Sequence, residues 1–219
     1  ATEKEIELSE EARTATFSPD VAAARKAAVG LNVPRIGMRL HLPKNMKHIE
    51  YYGRGPLENY PDRNAGSMLG IYNSTVADMY FPYVRPQENG HHTDTRWISL
   101  KDENGHGILI KGDAPMGFNA LHNSVEDFDS EEAKQHDYQW NNFTPKEIAD
   151  HNPARAHNRL RRMTHINDIQ PRNFVELCID MKQQGVAGYN SWGARPEPAY
   201  TIPANKDYSW GFMIIPITK

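Results

Sequence analysis

Six segments of the chain alternate apolar and polar side chains with a period of two: RIGMRLHL (35–42), HIEYYG (48–53), TRWISLK (95–101), GILIKG (107–112), NFVELCIDM (173–181) and YSWGFMIIPI (208–217). Successive side chains of an extended strand point to opposite faces, so this period predicts half-buried β-strands. In HIEYYG it places Ile49 and Tyr51 on one face and His48, Glu50 and Tyr52 on the other. YSWGFMIIPI is more uniformly apolar and predicts a strand in a sheet covered on both sides, ending or reaching an edge at Pro216, which has no N–H to donate. Pro, Gly and Asn separate the runs, as antiparallel connections require.

Helix is predicted only in short pieces. SVEDFDSEEAKQ (124–135) opens on Ser124 as N-cap, with acids in its first turn and Lys134 in its last. TPKEIADHN (144–152) has Thr144 as cap, Pro145 at the first helical position and Glu147 completing a capping box. VAAARKAAVG (21–30) has helix propensity but almost no large apolar residue to anchor it, and reads as a linker or short surface helix. No period of 20–50 residues recurs, which disfavours solenoids and propellers. Strands do not alternate with long helices, which disfavours a doubly wound sheet. The remaining fold class is all-β, a large antiparallel β-sandwich.

The 219 residues permit one large all-β domain without a boundary. A net charge of −3, from 25 basic and 28 acidic residues, provides no positive field to track a phosphate backbone, which argues against a nucleic-acid partner. No apolar run reaches the roughly 18 residues of a membrane span, and ATEKEIELSE lacks the charged-then-apolar order of a signal peptide. The lone Cys178, within FVELCIDM, reads as a small core residue rather than a nucleophile and leaves the compartment open.

The densest cluster of chemically distinctive residues is YYGRGPLENYPDR (51–63). Glu58 and Asp62 could form an acid–base pair acting on a sugar. With Arg54 and Arg63 beside them, the favoured reading is a loop whose carboxylates are held ionised by guanidinium groups and backbone N–H groups. RPQENGHHTDTRW (85–97) gathers Glu88, His91, His92, Asp94 and Arg96, which suggests a metal. Adjacent histidines on a strand diverge, however, and no helical i, i+4 pair is present, so a loop satisfying its own polar groups is favoured and no metal ligand is assigned. No phosphate-binding glycine loop, nucleophile elbow or Cys–His metal spacing occurs. In GYNSWGARPEP (188–198), Trp192 stands on a turn-rich loop between Gly188 and Gly193. It either plugs the end of the sandwich or offers its face to a sugar, with Asn190 and Ser191 able to meet hydroxyls.

In order along the chain, VPRIGMRLHLP, YYGRGPLENYPDR, DMYFPYVRPQENGHHTDTRW, GVAGYNSWGARPEPAYTI and YSWGFMIIPI resemble the C-terminal domain of the β-galactosidases of glycoside hydrolase family 2. The likeness runs from about residue 33 to the end. It implies a β-sandwich of the large, galactose mutarotase-like kind (a supersandwich), comprising residues 33–219, with 1–32 as an N-terminal strand and linker of the same domain. It also implies a parent enzyme that hydrolyses terminal β-D-galactosides with retention. In that family the acid/base and nucleophile glutamates, and the magnesium ligands, belong to a separate barrel. This chain is therefore expected to supply no catalytic residue, to bind no cofactor itself, and to be inactive alone.

The same resemblance implies that Trp192 is the aromatic group with which the domain completes the galactoside pocket, and that Asn190 and Ser191 shape its turn. The implied partners are the catalytic barrel and other domains, the galactoside, and further copies of the chain. Two departures stand out. The family's domain begins with further strands before TATFSP, so this chain reads as a truncated piece with exposed edges, and 124–158 matches poorly and reads as a surface insertion. The alternatives are the small subunit of a two-chain β-galactosidase, or an independent carbohydrate-binding or mutarotase module using His91 or His92 with Glu58.

Overall fold

The computed structural model describes residues 30–128, 166–190 and 193–218. Seven strands form within them: β1 (Arg35–Pro43), β2 (His48–Gly55), β3 (Met68–Thr75), β4 (His92–Lys101), β5 (Gly107–Leu121), β6 (Phe174–Gln183) and β7 (Phe212–Ile217). They form one antiparallel sheet in the order β1-β6-β5-β4-β2-β3, with β7 also paired to β5. Described helix is confined to three-residue 3₁₀ turns at Val125–Asp127, Ile166–Asp168 and Pro198–Tyr200. The architecture is all-β, in keeping with the expected sandwich.

Cross-strand register creates the core. Leu40 faces Leu177 and Leu42 faces Val175 between β1 and β6, while Phe118 faces Ile179 and Ala120 faces Leu177 between β5 and β6. Ile98 lies opposite both Ile110 and Tyr51, and Leu100 opposite Ile108 and Ile49. One continuous apolar face results, with Tyr51, Ile98, Leu100, Ile110, Phe118, Leu177 and Ile179 wholly buried. Removing each such side chain from water stabilises the fold by about 1.5–3 kcal/mol before entropy is counted. In β2 this burial falls on Ile49 and Tyr51, as the period-two pattern predicts.

The other face of β6 is unexpected. Glu176, Cys178 and Asp180 alternate with Val175, Leu177 and Ile179 and would ordinarily face solvent, yet all six are buried. Asp180 lies opposite Gly37 of β1 and Gly117 of β5. A Cβ at position 37 would collide with the Asp180 side chain, and one at 117 with the His91 ring. Those glycines leave the space in which a polar layer is built.

Two expectations need correction. The YSWGFMIIPI segment is strand only from Phe212, and β7 is not covered on both sides: Met213, Ile214 and Ile215 are exposed, and among the described residues β7 pairs with β5 alone. In the described part of the helix expected over 124–135 there is a single 3₁₀ turn, Val125–Asp127, capped by Phe128, whose backbone is extended. There the Asp127 carboxylate accepts the Ser124 N–H (2.9 Å) and pairs with Arg172, so the turn is fixed to the chain leading into β6 rather than extended. GILIKG is strand as expected and opens the 15-residue β5, which pairs with β7 over 107–112 and with β6 over 117–121. The candidate helix at 144–152, residues 129–135 of the first helix, and residues 1–29, including most of the alanine-rich segment, lie outside the described residues.

Candidate functional site

The connection between β6 and β7 carries the tryptophan loop. Its stems are fastened by backbone hydrogen bonds: Gln184 N–H to Pro34 C=O (2.9 Å), Gly185 N–H to Tyr200 C=O (2.8 Å) and Val33 N–H to Ile202 C=O (2.9 Å). Asp62, 124 and 125 positions earlier, accepts the N–H groups of Val186 (3.1 Å) and Ala187 (2.7 Å) on its two carboxylate oxygens. Ala187 adopts φ 51° and Gly188 φ 79°, a left-handed pair that turns the chain sharply after the clamp. Asn190 is exposed, and its Oδ1 accepts the Ala194 N–H at 3.2 Å. The exposed Tyr189 hydroxyl lies 3.4 Å from both the Arg195 carbonyl and Glu197 Oε1. Ser191 and Trp192 themselves lie outside the described residues.

Asp62 stands on a tight turn whose position comes from the core. Tyr60 and Arg63 form a β-bridge across it, and Tyr60 is wholly buried with its ring stacked on His91 at 5.4 Å. Glu58, the other acid of the candidate pair, has a separate task. Its carboxylate accepts from Arg63 (2.7 Å), the Gly90 N–H (2.6 Å) and the Tyr83 hydroxyl. The two acids serve different loops, the arrangement that the ion-paired reading favours over acid–base work. The partner of Asp62 is a pair of amides, however, not a guanidinium.

The histidines lead into the polar layer. His91 and His92 are both buried, and His91 Nδ1 lies 2.8 Å from Asn119 Oδ1, which also accepts from Arg35 (2.5 Å). Asn119 donates in turn to Glu88 (2.9 Å) and to the Asn89 carbonyl (2.6 Å). Arg35 Nε approaches Asp180 at 3.1 Å, and His91 Nδ1 stands 3.7 Å from the same carboxyl group. Burial, reinforced by the Arg35 charge, lowers His91 to about 3, and burial lowers His92 to about 4. Both rings are thus neutral at pH 7. Burial raises Glu88 and lifts Asp180 to about 7, opposed by Arg35 in each case. The negative charge of Glu88 adds to the rise at Asp180. Burial also pushes the Cys178 thiol up to about 12, which removes its nucleophilic form.

His92 Nδ1 lies 3.0 Å from the Gly90 carbonyl, and its ring packs on Phe118 and Tyr51. Neither histidine converges with Glu58 on an open site, as a mutarotase reading would need. No group of three or more His, Cys, Asp or Glu side chains among the described residues is arranged to hold a metal ion. Sequence reasoning overlooked Arg35, Asn119 and Asp180. The one local signal was charge recurring on one face of β6, which reads equally well as a wet strand face.

Fold and site together define an antiparallel β-domain whose buried polar residues fix loops, and whose tryptophan loop is fastened to the core by a carboxylate. A family model described as the beta galactosidase small chain matches residues 3–214. The chain is 31% identical to a β-galactosidase of Priestia megaterium and 30% identical to one of Lactobacillus delbrueckii subsp. bulgaricus, each over 84% of this chain and 15% of the relative. A β-galactosidase of Streptococcus thermophilus is 26% identical over 85% of this chain and 15% of its own length. The chain therefore belongs to the β-galactosidase small-chain family, and it spans about 15% of the length of these relatives.

Proposed function

We propose that the chain is the non-catalytic C-terminal domain of a glycoside hydrolase family 2 β-galactosidase, and that Trp192 completes the galactoside pocket of a separate catalytic barrel. The observation that carries this reading is the match to the small chain of β-galactosidases together with the fastened stem of the loop that carries Trp192. An indole offers a flat apolar face to the C–H patch of a galactose ring, and the stems of the loop that carries it are fixed. Its contribution is orientation and exclusion of water. Asn190, whose amide oxygen is engaged by Ala194, shapes the turn, and Ser191 is assigned the same part.

Retaining hydrolysis needs two carboxylates about 5–5.5 Å apart, one able to donate a proton. Glu58 and Asp62 hold loops, so acid/base and nucleophile are assigned to the barrel, and magnesium with them. In the relatives the matching segment is a small part of a long polypeptide, while the family's description as a small chain favours a second arrangement in which the domain is a separate subunit. The pocket chemistry is the same in both.

The test is Trp192→Ala in the assembled enzyme, assayed on a β-galactoside. The Michaelis constant should rise by roughly tenfold or more with the fold intact. Wild-type kinetics would refute the role of the indole, and hydrolysis by this chain alone would refute the non-catalytic assignment.

A further inference from the structure

Two consecutive amides directed at one carboxylate across 124 and 125 residues make an unusual connection in this fold. Resting on the reading above, we infer that Asp62 is the positioning residue of the substrate-facing loop. It holds Val186 and Ala187, in the stem of the loop that carries Trp192, in a fixed backbone conformation.

Three observations support the assignment. Two neighbouring N–H groups converge on an anion when the backbone curls around it, and Ala187, a residue with a Cβ, accepts left-handed φ to complete that curl. Such a conformation costs about 1–3 kcal/mol and persists only where the surroundings determine it. Charge-assisted bonds to Asp62 supply that determination. Next, Gly185 packs so closely on the Asp62 carboxyl group that a Cβ there would overlap it, so the fit has been made from both sides. Last, Asp62 can transmit position because its own turn is rigid: Tyr60 is wholly buried, the Arg63 N–H bonds the Tyr60 carbonyl at 2.8 Å, and the Arg63 guanidinium lies over the Tyr60 ring at 5.1 Å.

The clamp acts on the stem, and Gly188, Tyr189, Asn190 and Ser191 separate it from Trp192 in the chain. Its loss should therefore weaken substrate binding and spare the chemical step performed elsewhere.

The experiment uses the assembled β-galactosidase and compares Asp62→Asn, Gly185→Ala, Trp192→Ala and the double variant Asp62→Asn with Trp192→Ala. Asp62→Asn keeps the side-chain volume and one acceptor but turns an amide N–H toward the second backbone N–H. Asp62→Asn and Gly185→Ala should each raise KM by roughly fivefold to tenfold while kcat stays within about twofold. In the double variant, Asp62→Asn should add less than about twofold to the effect of Trp192→Ala, because both changes remove the same contribution. Arg172→Lys, which weakens the distant pair with Asp127, controls for destabilisation and should leave KM unchanged.

Unchanged KM in Asp62→Asn beside raised KM in Trp192→Ala would overturn the positioning role alone, as would full multiplication of the two effects. Unchanged KM in Trp192→Ala would overturn the pocket reading and the inference with it.

Discussion

Replacing Asp180 with Asn should reshape the pH dependence of folding in a direction opposite to that usual for a carboxylate. An ion-paired acid normally has a depressed pKa and destabilises its fold on acidification. Asp180 lies between Gly37 and Gly117 with its side chain sealed from water, and burial raises it from 3.8 to about 7 despite Arg35 nearby. Between pH 4 and 7 the folded chain therefore keeps a proton that the unfolded chain has released. The stability associated with that proton is complete below about pH 4 and is lost as the pH rises through about 7. A tenfold change in proton affinity is worth about 1.4 kcal/mol, so the rise from 3.8 to about 7 corresponds to about 4 kcal/mol. Of this, about 3 kcal/mol falls between pH 5 and pH 8.

Asn has the same shape and never ionises. Urea unfolding of wild type and Asp180→Asn at half-unit steps from pH 5 to 8 should show the variant gaining about 3 kcal/mol relative to wild type, levelling above pH 7. Other groups facing Asp180 leave this difference nearly intact. His91 and His92 remain neutral in both folded chains, Arg35 remains charged, and any fixed cost of placing an amide against Arg35 is a pH-independent offset. Glu88, itself raised by burial, is present in both proteins. A difference that varies by less than about 1 kcal/mol over the range would mean that Asp180 is ionised throughout and that burial does not govern it.

Further outcomes follow from other contacts. Arg172→Ala should destabilise the chain by about 3 kcal/mol, read by urea unfolding, because it strands the sealed carboxylate of Asp127. Arg172→Lys should recover part of the loss. Gly117→Ala should cost about 1–3 kcal/mol, since its methyl group would enter the space of the His91 ring, whereas Gly105→Ala, with nothing near its Cβ position, should cost only the strain of its left-handed backbone. Cys178 should resist a thiol reagent at pH 8 in the folded chain and react once urea unfolds it. Ile214→Glu, on the exposed β7, should change the unfolding free energy by less than about 1 kcal/mol while reducing self-association measured by light scattering.

Much of the sheet was legible because burial on one face leaves a local trace. The alternation in RIGMRLHL, HIEYYG, TRWISLK and NFVELCIDM marks β1, β2, β4 and β6, since each places its apolar residues toward the shared core. MLGIYNST gave no such trace: among the described residues β3 is an edge strand, and Met68, Leu69 and Ile71 are exposed, so its two faces are not distinguished by burial. The second part of β5, DAPMGFNAL, carries Asp113, Pro115 and Gly117, residue types depleted in strands. It is strand because β4 and β6 flank it there.

By itself, the sequence determined the all-β class and the core face, and its ordered blocks pointed to the family that the match to the small chain establishes. These depend on neighbours in the chain or on residue identity at fixed spacing. Tertiary structure alone decided what each polar group does. Whether the Glu176–Cys178–Asp180 face of β6 is wet or sealed depends on what covers it, and whether Asp62 is an acid or a clamp depends on amides more than a hundred residues away. A carboxylate's chemistry is set by the charges, donors and water within a few ångströms of it, and the chain order does not state that neighbourhood.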